Sequence, residues 1–420
     1  MQARYIYSAC IVIETPDIAI CCDPWFSPGA YDGSWFQYPP LTEDPVDIIG
    51  PVDVIYISHI HPDHYDPRFL RRYLSRHPGT LLVIGVTDPP HLRRKMAIDG
   101  FAPEVIRTRT FGHTHLTIVP NRAAGDLEAV DTALVVARDG QSVVNLNDNP
   151  LDTNQIDQLL AACNGRPTVA FVPYSGAGPY PQTYRFPTAS DQRAAADAKR
   201  DAFLAIFDEY VSRLRPQMAV PFAGKYFLGG PLRRLNGLRG VPDAVEAAGR
   251  APGTAMVLAD GGRAYVDCGE VQAHGVRSEP YDPVEVDRHL SGLPFQGYDY
   301  ERELSFLPDR QLPLLPLLTS AYQRARARSR VTGPFWFCLS VTPGRYLCFD
   351  TSCDSGILAR DDVQDLVPRC EIEIDERYLF GLLTRLYHWN NAEIGSHYLA
   401  TRVPDVYRPE AYAFLHYLHV

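Results

Sequence analysis

One hexapeptide limits what this chain can fold into more than any other feature: His59-Ile60-His61-Pro62-Asp63-His64. It follows the apolar run Val52 to Ser58, which reads as a buried strand, and it precedes Asp66-Pro67, a good N-cap followed by a proline suited to the first helical position. Phe69, Leu70, Tyr73 and Leu74 then fall on one helical face. Three imidazoles and a carboxylate between a strand and a capped helix predict a metal-binding loop. His59 and His61 lie two apart, on one side of an extended segment, and can converge on one ion. Asp63 and His64 turn away and can reach a second. A two-metal site can activate water or, with redox-active metals, dioxygen.

Composition excludes several alternatives. The chain has 420 residues, 45% of them hydrophobic and 21% charged, enough for two domains of ordinary soluble character. A formal net charge of −10 without a basic stripe argues against a nucleic-acid partner. No apolar run approaches the length of a membrane span, and Met1 to Ile6 lacks a signal-peptide pattern, so the expectation is a cytoplasmic protein with no membrane partner. The nine cysteines are odd in number and scattered. They form no CxxC or CxxH spacing and no CxH…CxxH pair of the kind a Rieske cluster requires.

Along the chain, Ser8–Thr15 and Ile18–Cys22 read as strands joined at Pro16-Asp17, with a long Pro/Gly/aromatic loop from Ser27 to Leu41. Further strands are expected at 81–86, 116–120, 131–137, 142–146, 168–173 and 218–221. Helices are expected near 91–99 and 191–214. From about residue 271 the character changes: charged, proline-bearing connectors lead to strands at 335–339 and 345–349 and helices at 376–387 and 409–418. The reading is an α/β chain with a catalytic domain over 1–270 and a C-terminal α+β region over 271–420 that packs on it and can cover the active site.

The HxHxDH motif resembles the signature of the metallo-β-lactamase superfamily, an αβ/βα sandwich with metals at one edge. Asp23-Pro24-Trp25 and Asn145-Leu146-Asn147-Asp148 are similar to two further strand-end motifs of that superfamily, and the resemblance makes Asp148 the carboxylate that bridges two metals. Tyr56-Ile57-Ser58, Pro221-Phe222-Ala223-Gly224 and Pro404-Asp405-Val406-Tyr407 resemble one branch, the metallo-β-lactamase-like part of CMP-N-acetylneuraminate hydroxylase.

The departures from the family pattern carry as much as the matches. Where the superfamily places a third histidine on the first metal, Ala124 to Thr132 contains none; Glu128, or else Asp126, is the expected substitute. A carboxylate in place of imidazole hardens the site towards iron or manganese. The diiron β-hydroxylases of this fold look like this, with a glutamate at that point. The usual last histidine is absent after Asp148 too, leaving His397, or His388, to fold back from the C-terminal region. His113 and His115 repeat the two-apart spacing but precede a strand, which favours a structural or pocket-rim role. Trp25, Trp35, Tyr174, Tyr180 and Lys225 are candidates for substrate contact, Lys225 through an anionic group.

Two functions compete. The first is a non-haem diiron monooxygenase with two iron ions held by His59, His61, Asp63, His64, Glu128, Asp148 and His397. It would use O2 and electrons from a separate ferredoxin or flavin reductase. The expected chemistry is hydroxylation of an unactivated C–H in a bulky secondary metabolite, such as a terpenoid acid or its CoA thioester. The alternative is a binuclear zinc or manganese hydrolase of an ester, lactone or phosphodiester, against which the missing histidines stand. A fold degenerate for binding alone is opposed by the intact HxHxDH.

Overall fold

Strict alternation along the first strands sets the architecture. Val12 and Cys21 point to one face of their sheet while Ile11, Ile13 and Ile20 point to the other, and all are buried, so this sheet is covered on both sides. The computed structural model of the protein describes residues 1–121, 131–267, 270–294, 297–307, 312–329, 331 and 333–420.

Two sheets face each other. The first has eight strands in the order Glu270–Val276, Leu258–Asp267, Gln2–Tyr7, Cys10–Glu14, Ala19–Cys22, Val54–Ile57, Leu81–Gly85 and Glu104–Ile106. The second has six: Met218–Phe222, Val169–Pro173, Gln141–Asn145, Thr132–Arg138, Thr114–Pro120 and Thr108–Phe111. Ile11, Ile13, Tyr56 and Val83 of the first meet Leu134, Val136, Phe171 and Phe222 of the second to fill the space between them. The outer face of the first sheet is covered by helices Pro67–Arg76 and His91–Ile98. That of the second is covered by helices Thr153–Ala162, Ala189–Leu214 and Ala244–Arg250. This is an αβ/βα sandwich.

The first sheet continues past residue 270, because the hairpin of Leu258–Asp267 and Glu270–Val276 pairs antiparallel with Gln2–Tyr7. The C-terminal region builds a separate five-stranded sheet, ordered Leu358–Arg360, Arg345–Asp350, Trp336–Thr342, Arg369–Glu373 and Leu399–Val403. Its core joins Leu318 and Tyr322 of helix Leu314–Arg328 to Phe337, Phe349, Tyr378 and Phe414. It is tied to the sandwich by the Thr183–Ala400 and Arg185–Ala400 backbone bonds (2.9 and 2.8 Å) and by the Tyr378 hydroxyl, which donates to Asp32 at 2.7 Å.

Candidate metal centre

Strand Val54–Ile57 is buried on both faces and parallel to both its neighbours, so its C-terminal end opens at the rim of the sandwich. Helix Pro67–Arg76 begins after nine intervening residues, capped by the Asp66 carboxylate, which accepts from the Phe69 amide. The loop between carries the hexapeptide. Two other segments reach the same rim. Thr132 anchors one: its hydroxyl donates to the Ser58 carbonyl at 2.8 Å, which sets Asp131 beside the loop. The other follows strand Gln141–Asn145, where Asn147 takes a left-handed conformation (φ 56°) and donates to the Thr132 carbonyl at 3.1 Å. That turn presents Asp148.

The structure brings His59, His61, Asp63, His64, Asp131 and Asp148 together. Five of the six form two groups whose donor atoms lie within 4.8 Å of one another: His59, His61 and Asp131, and His59, His64 and Asp148. His59 Nε2 is 2.8 Å from His61 Nδ1, and the Asp148 carboxylate is 3.7 Å from Nε2 of both His59 and His64. Asp63 lies 3.5 Å from His64 Nε2. Three buried atoms at this point, His64 Nε2, Asp131 Oδ1 and Asp148 Oδ1, have no hydrogen-bond partner among the described residues. Orphaned buried donors and acceptors are costly, and convergent ones of this chemistry fit a bound cation.

The surrounding contacts orient each ligand. His64 Nδ1 is 2.9 Å from Asp23 Oδ2, which leaves Nε2 facing Asp148. Asp23 also accepts from the Ser58 amide (2.7 Å) and hydroxyl (2.6 Å). His61 Nε2 is 3.0 Å from Asn390 Oδ1, so the C-terminal region reaches the metal loop directly. The Tyr31 hydroxyl donates to Asp63 at 2.5 Å. Burial lowers the proton affinity of His59 and His61, which favours neutral imidazoles with free lone pairs. At His64 burial also opposes the charged form, but Asp148, Asp63 and Asp23 outweigh it and hold its pKa up to about 10. Burial and then the Asp148 charge push Asp131 up to about 7. An arrangement of carboxylates that holds a proton on His64 can equally hold a metal cation, which would displace that proton.

The remaining expectations are placed as follows. Glu128 and Asp126 lie outside the described residues. The carboxylate seen beside His59 and His61 is Asp131, in the stretch where the third histidine is missing, immediately before a strand; that position was the signal available in the sequence. His397, expected as the last ligand, is in neither group. Its Nε2 donates to the Tyr31 carbonyl at 2.7 Å and its ring sits among Tyr298, Tyr300 and Tyr378. His388 caps helix Trp389–Ile394. His115 bonds Thr110 at an exposed sheet edge, and the His113 amide donates to Asp17. Trp25 and Trp35 are buried in a cluster with Tyr31 and Tyr226, so they shape the wall behind Tyr31 rather than an open pocket. Tyr180 packs on Tyr184 and Arg402 and donates to Asp405. Tyr174 and Lys225 do line a cavity, beyond Tyr226, but Lys225 is paired with Asp260. Asp23, Ser58, Tyr31 and Asn390 act on the ligands and do not stand out as site residues in the sequence, because their roles depend on contacts across 32 to 329 residues of chain.

The fold and the site define a mixed α/β protein, an αβ/βα sandwich with a candidate His/Asp metal site and an added C-terminal region. Residues 2–200 match the family model described as the beta-lactamase superfamily domain. It is 33% identical over 252 residues to a protein of Mycolicibacterium smegmatis named as a Rieske 2Fe-2S iron-sulfur protein, covering 58% of this chain and 47% of that one. It is 25% identical over 265 residues to the cytidine monophosphate-N-acetylneuraminic acid hydroxylase of Asterias rubens, covering 59% of this chain and 38% of the hydroxylase. The chain thus spans less than half the length of these relatives. Among solved structures it is similar to CmlA, a diiron beta-hydroxylase from Streptomyces venezuelae (17% identity, TM-score 0.40, 62% of this chain and 53% of that one). It is also similar to Igni18, a metallo hydrolase from Ignicoccus hospitalis (16% identity, TM-score 0.41, 65% and 99%). Among the described residues no helix is long and apolar enough to cross a membrane.

Proposed function

We propose that this chain is a metal-dependent oxygenase, a non-haem diiron monooxygenase that hydroxylates a C–H bond using O2 and external electrons. The observation that carries this reading is Asp131. With it the site holds three imidazoles and three carboxylates, and the group around His59 and His61 is completed by oxygen rather than nitrogen. Such a hard, anionic donor set favours iron or manganese over zinc. The relatives named as hydroxylases support the same reaction class.

Two irons held by His59, His61, Asp63, His64, Asp131 and Asp148 would supply the oxygen activation. The protein's own part is orientation. Asp23 fixes the His64 ring through Nδ1, and Asn390 holds the His61 ring through Nε2. Tyr31 donates a proton-bearing hydroxyl to one Asp63 oxygen and leaves the other for the site. Asn390 also brings the C-terminal region over the centre, where it can exclude water from a substrate. The substrate we infer is a bulky secondary metabolite. Electrons would come from a ferredoxin or flavin reductase acting with this chain.

Metal analysis with an optical spectrum of aerobically purified protein tests the proposal. About two irons per chain with near-ultraviolet absorption, and hydroxylated product on addition of a reductase system, are expected. Two zincs, no iron and hydrolysis of an ester, lactone or phosphodiester would overturn it in favour of a hydrolase.

A further inference from the structure

Beyond the aromatic wall that backs the metal centre lies a second concavity. Trp35 stacks on Tyr226 with ring centroids 3.4 Å apart, and on the far side of Tyr226 a cavity of about 390 Å³ opens between the 3-10 helix Gly230–Leu238 and helix Pro283–Ser291. That volume is in the range of small-molecule pockets. Tyr226, Phe227 and Tyr281 give it flat apolar walls.

The charges on its wall do not balance. Lys225 is paired with Asp260, Arg233 with Asp287 (3.3 Å), and Asp243 with Arg277 (2.9 Å). Both acidic residues of the wall are therefore already matched. Arg234 and Arg239 remain, and neither forms an ion pair among the described residues. Arg234 is exposed. Arg239 is 7% exposed, its Nε and Nη1 donate to the Asn236 and Tyr226 carbonyls (3.2 and 2.5 Å), and its Nη2 donates to none of the described residues. Its guanidinium lies 4.7 Å from the Tyr226 ring centroid and 5.1 Å from that of Phe227, which fixes its plane against the cavity wall. Its charge is met by carbonyls and aromatic faces but by no carboxylate, and a planar fork on a cavity wall suits a carboxylate or phosphate.

We propose that this cavity is a binding site for an organic oxyanion with a flat apolar body, the oxyanion held by Arg239 and Arg234 and the body against Tyr226, Phe227 and Tyr281. The site stands on its own geometry and does not depend on which reaction the metals perform. Isothermal titration of the full-length, metal-loaded protein with phenyl phosphate, benzoate and neutral phenol tests it. At least one of the two anions binds at a single site at least tenfold more tightly than phenol, and the tighter one identifies the headgroup. Removing the metals with a chelator changes its affinity less than twofold, which separates this site from the metal centre. Arg239→Gln weakens binding more than tenfold, and the exposed Arg234→Glu, which leaves the fold intact, weakens it at least fivefold. Binding of neither anion, binding no tighter than phenol, binding lost with the metals, or binding unmoved by Arg234→Glu would overturn the proposal.

Discussion

His64 Nδ1 and Asp23 Oδ2 lie 2.9 Å apart with both side chains fully buried, and this single contact decides which nitrogen of His64 faces the metal loop. Asp23 can do this because it sits just past strand Ala19–Cys22 in a left-handed conformation (φ 43°), turned towards the neighbouring strand end. Its other oxygen is locked by the Ser58 amide. Asp23→Ala therefore frees the ring without removing a ligand. Such outer contacts are worth ~10–100-fold in metal affinity. Competition with a chromophoric chelator should show a loss of that size, with the far-ultraviolet circular dichroism unchanged. Unaltered affinity would mean that packing alone orients His64.

Asp131 is the test of the hard-site argument. Asp131→Ala removes the oxygen donor from the His59–His61 group, and metal content should fall from about two ions per chain to about one. Asp131→His restores a third imidazole and should shift the protein, grown with iron and zinc together, towards zinc. Elemental analysis of both variants gives the answer. Retention of two irons in Asp131→Ala would assign the third donor to another residue.

How much of this was legible in the sequence depends on the range of the interaction. The strand before His59 and the helix after Asp66 were readable, because an apolar run, an N-cap and a proline are local signals. The hexapeptide showed four site residues at once for the same reason. Asp131 was harder: Asp126, Glu128 and Asp131 are chemically equivalent on paper, and only the anchoring of Thr132 to the Ser58 carbonyl places Asp131 beside the loop. The hairpin Leu258–Asp267 to Glu270–Val276 joins the first sheet through a pairing with Gln2–Tyr7 that local periodicity does not report. His397 lies apart from both groups with its Nε2 on the Tyr31 carbonyl, a direction the sequence does not report, because a histidine far along the chain signals reach alone. Trp25 and Trp35 read as pocket aromatics, yet the same rings suit a buried wall equally well.

Asn390 connects the two halves of the chain at the metal loop. Its Oδ1 is 3.0 Å from His61 Nε2, and it lies on helix Trp389–Ile394. Asn390→Leu removes the acceptor at similar size. Metal affinity of the His59–His61–Asp131 group should weaken about tenfold while the other ion is held, giving a biphasic titration. A single unchanged phase would show that the C-terminal region covers the site without tuning it.

His397 yields a pH prediction that also separates a positioning role from a ligand role. It is 6% exposed, and burial holds its pKa down to about 4 although the Tyr31 carbonyl accepts from Nε2 and opposes the shift. An unfolded chain has the ordinary histidine value near 6.5. The depressed group is a base, so the unfolded state takes up the proton first as pH falls. Its contribution is fully present above pH ~6.5 and is lost as pH falls from there through ~4, amounting to about 3 kcal/mol at most. Chemical denaturation between pH 7.5 and 4 should show this limb, and His397→Gln should flatten it while lowering stability at pH 7.5. The same variant should keep the full metal content, since Tyr31 rather than a metal is the partner of Nε2. Loss of one ion per chain in His397→Gln would instead return His397 to the coordination sphere.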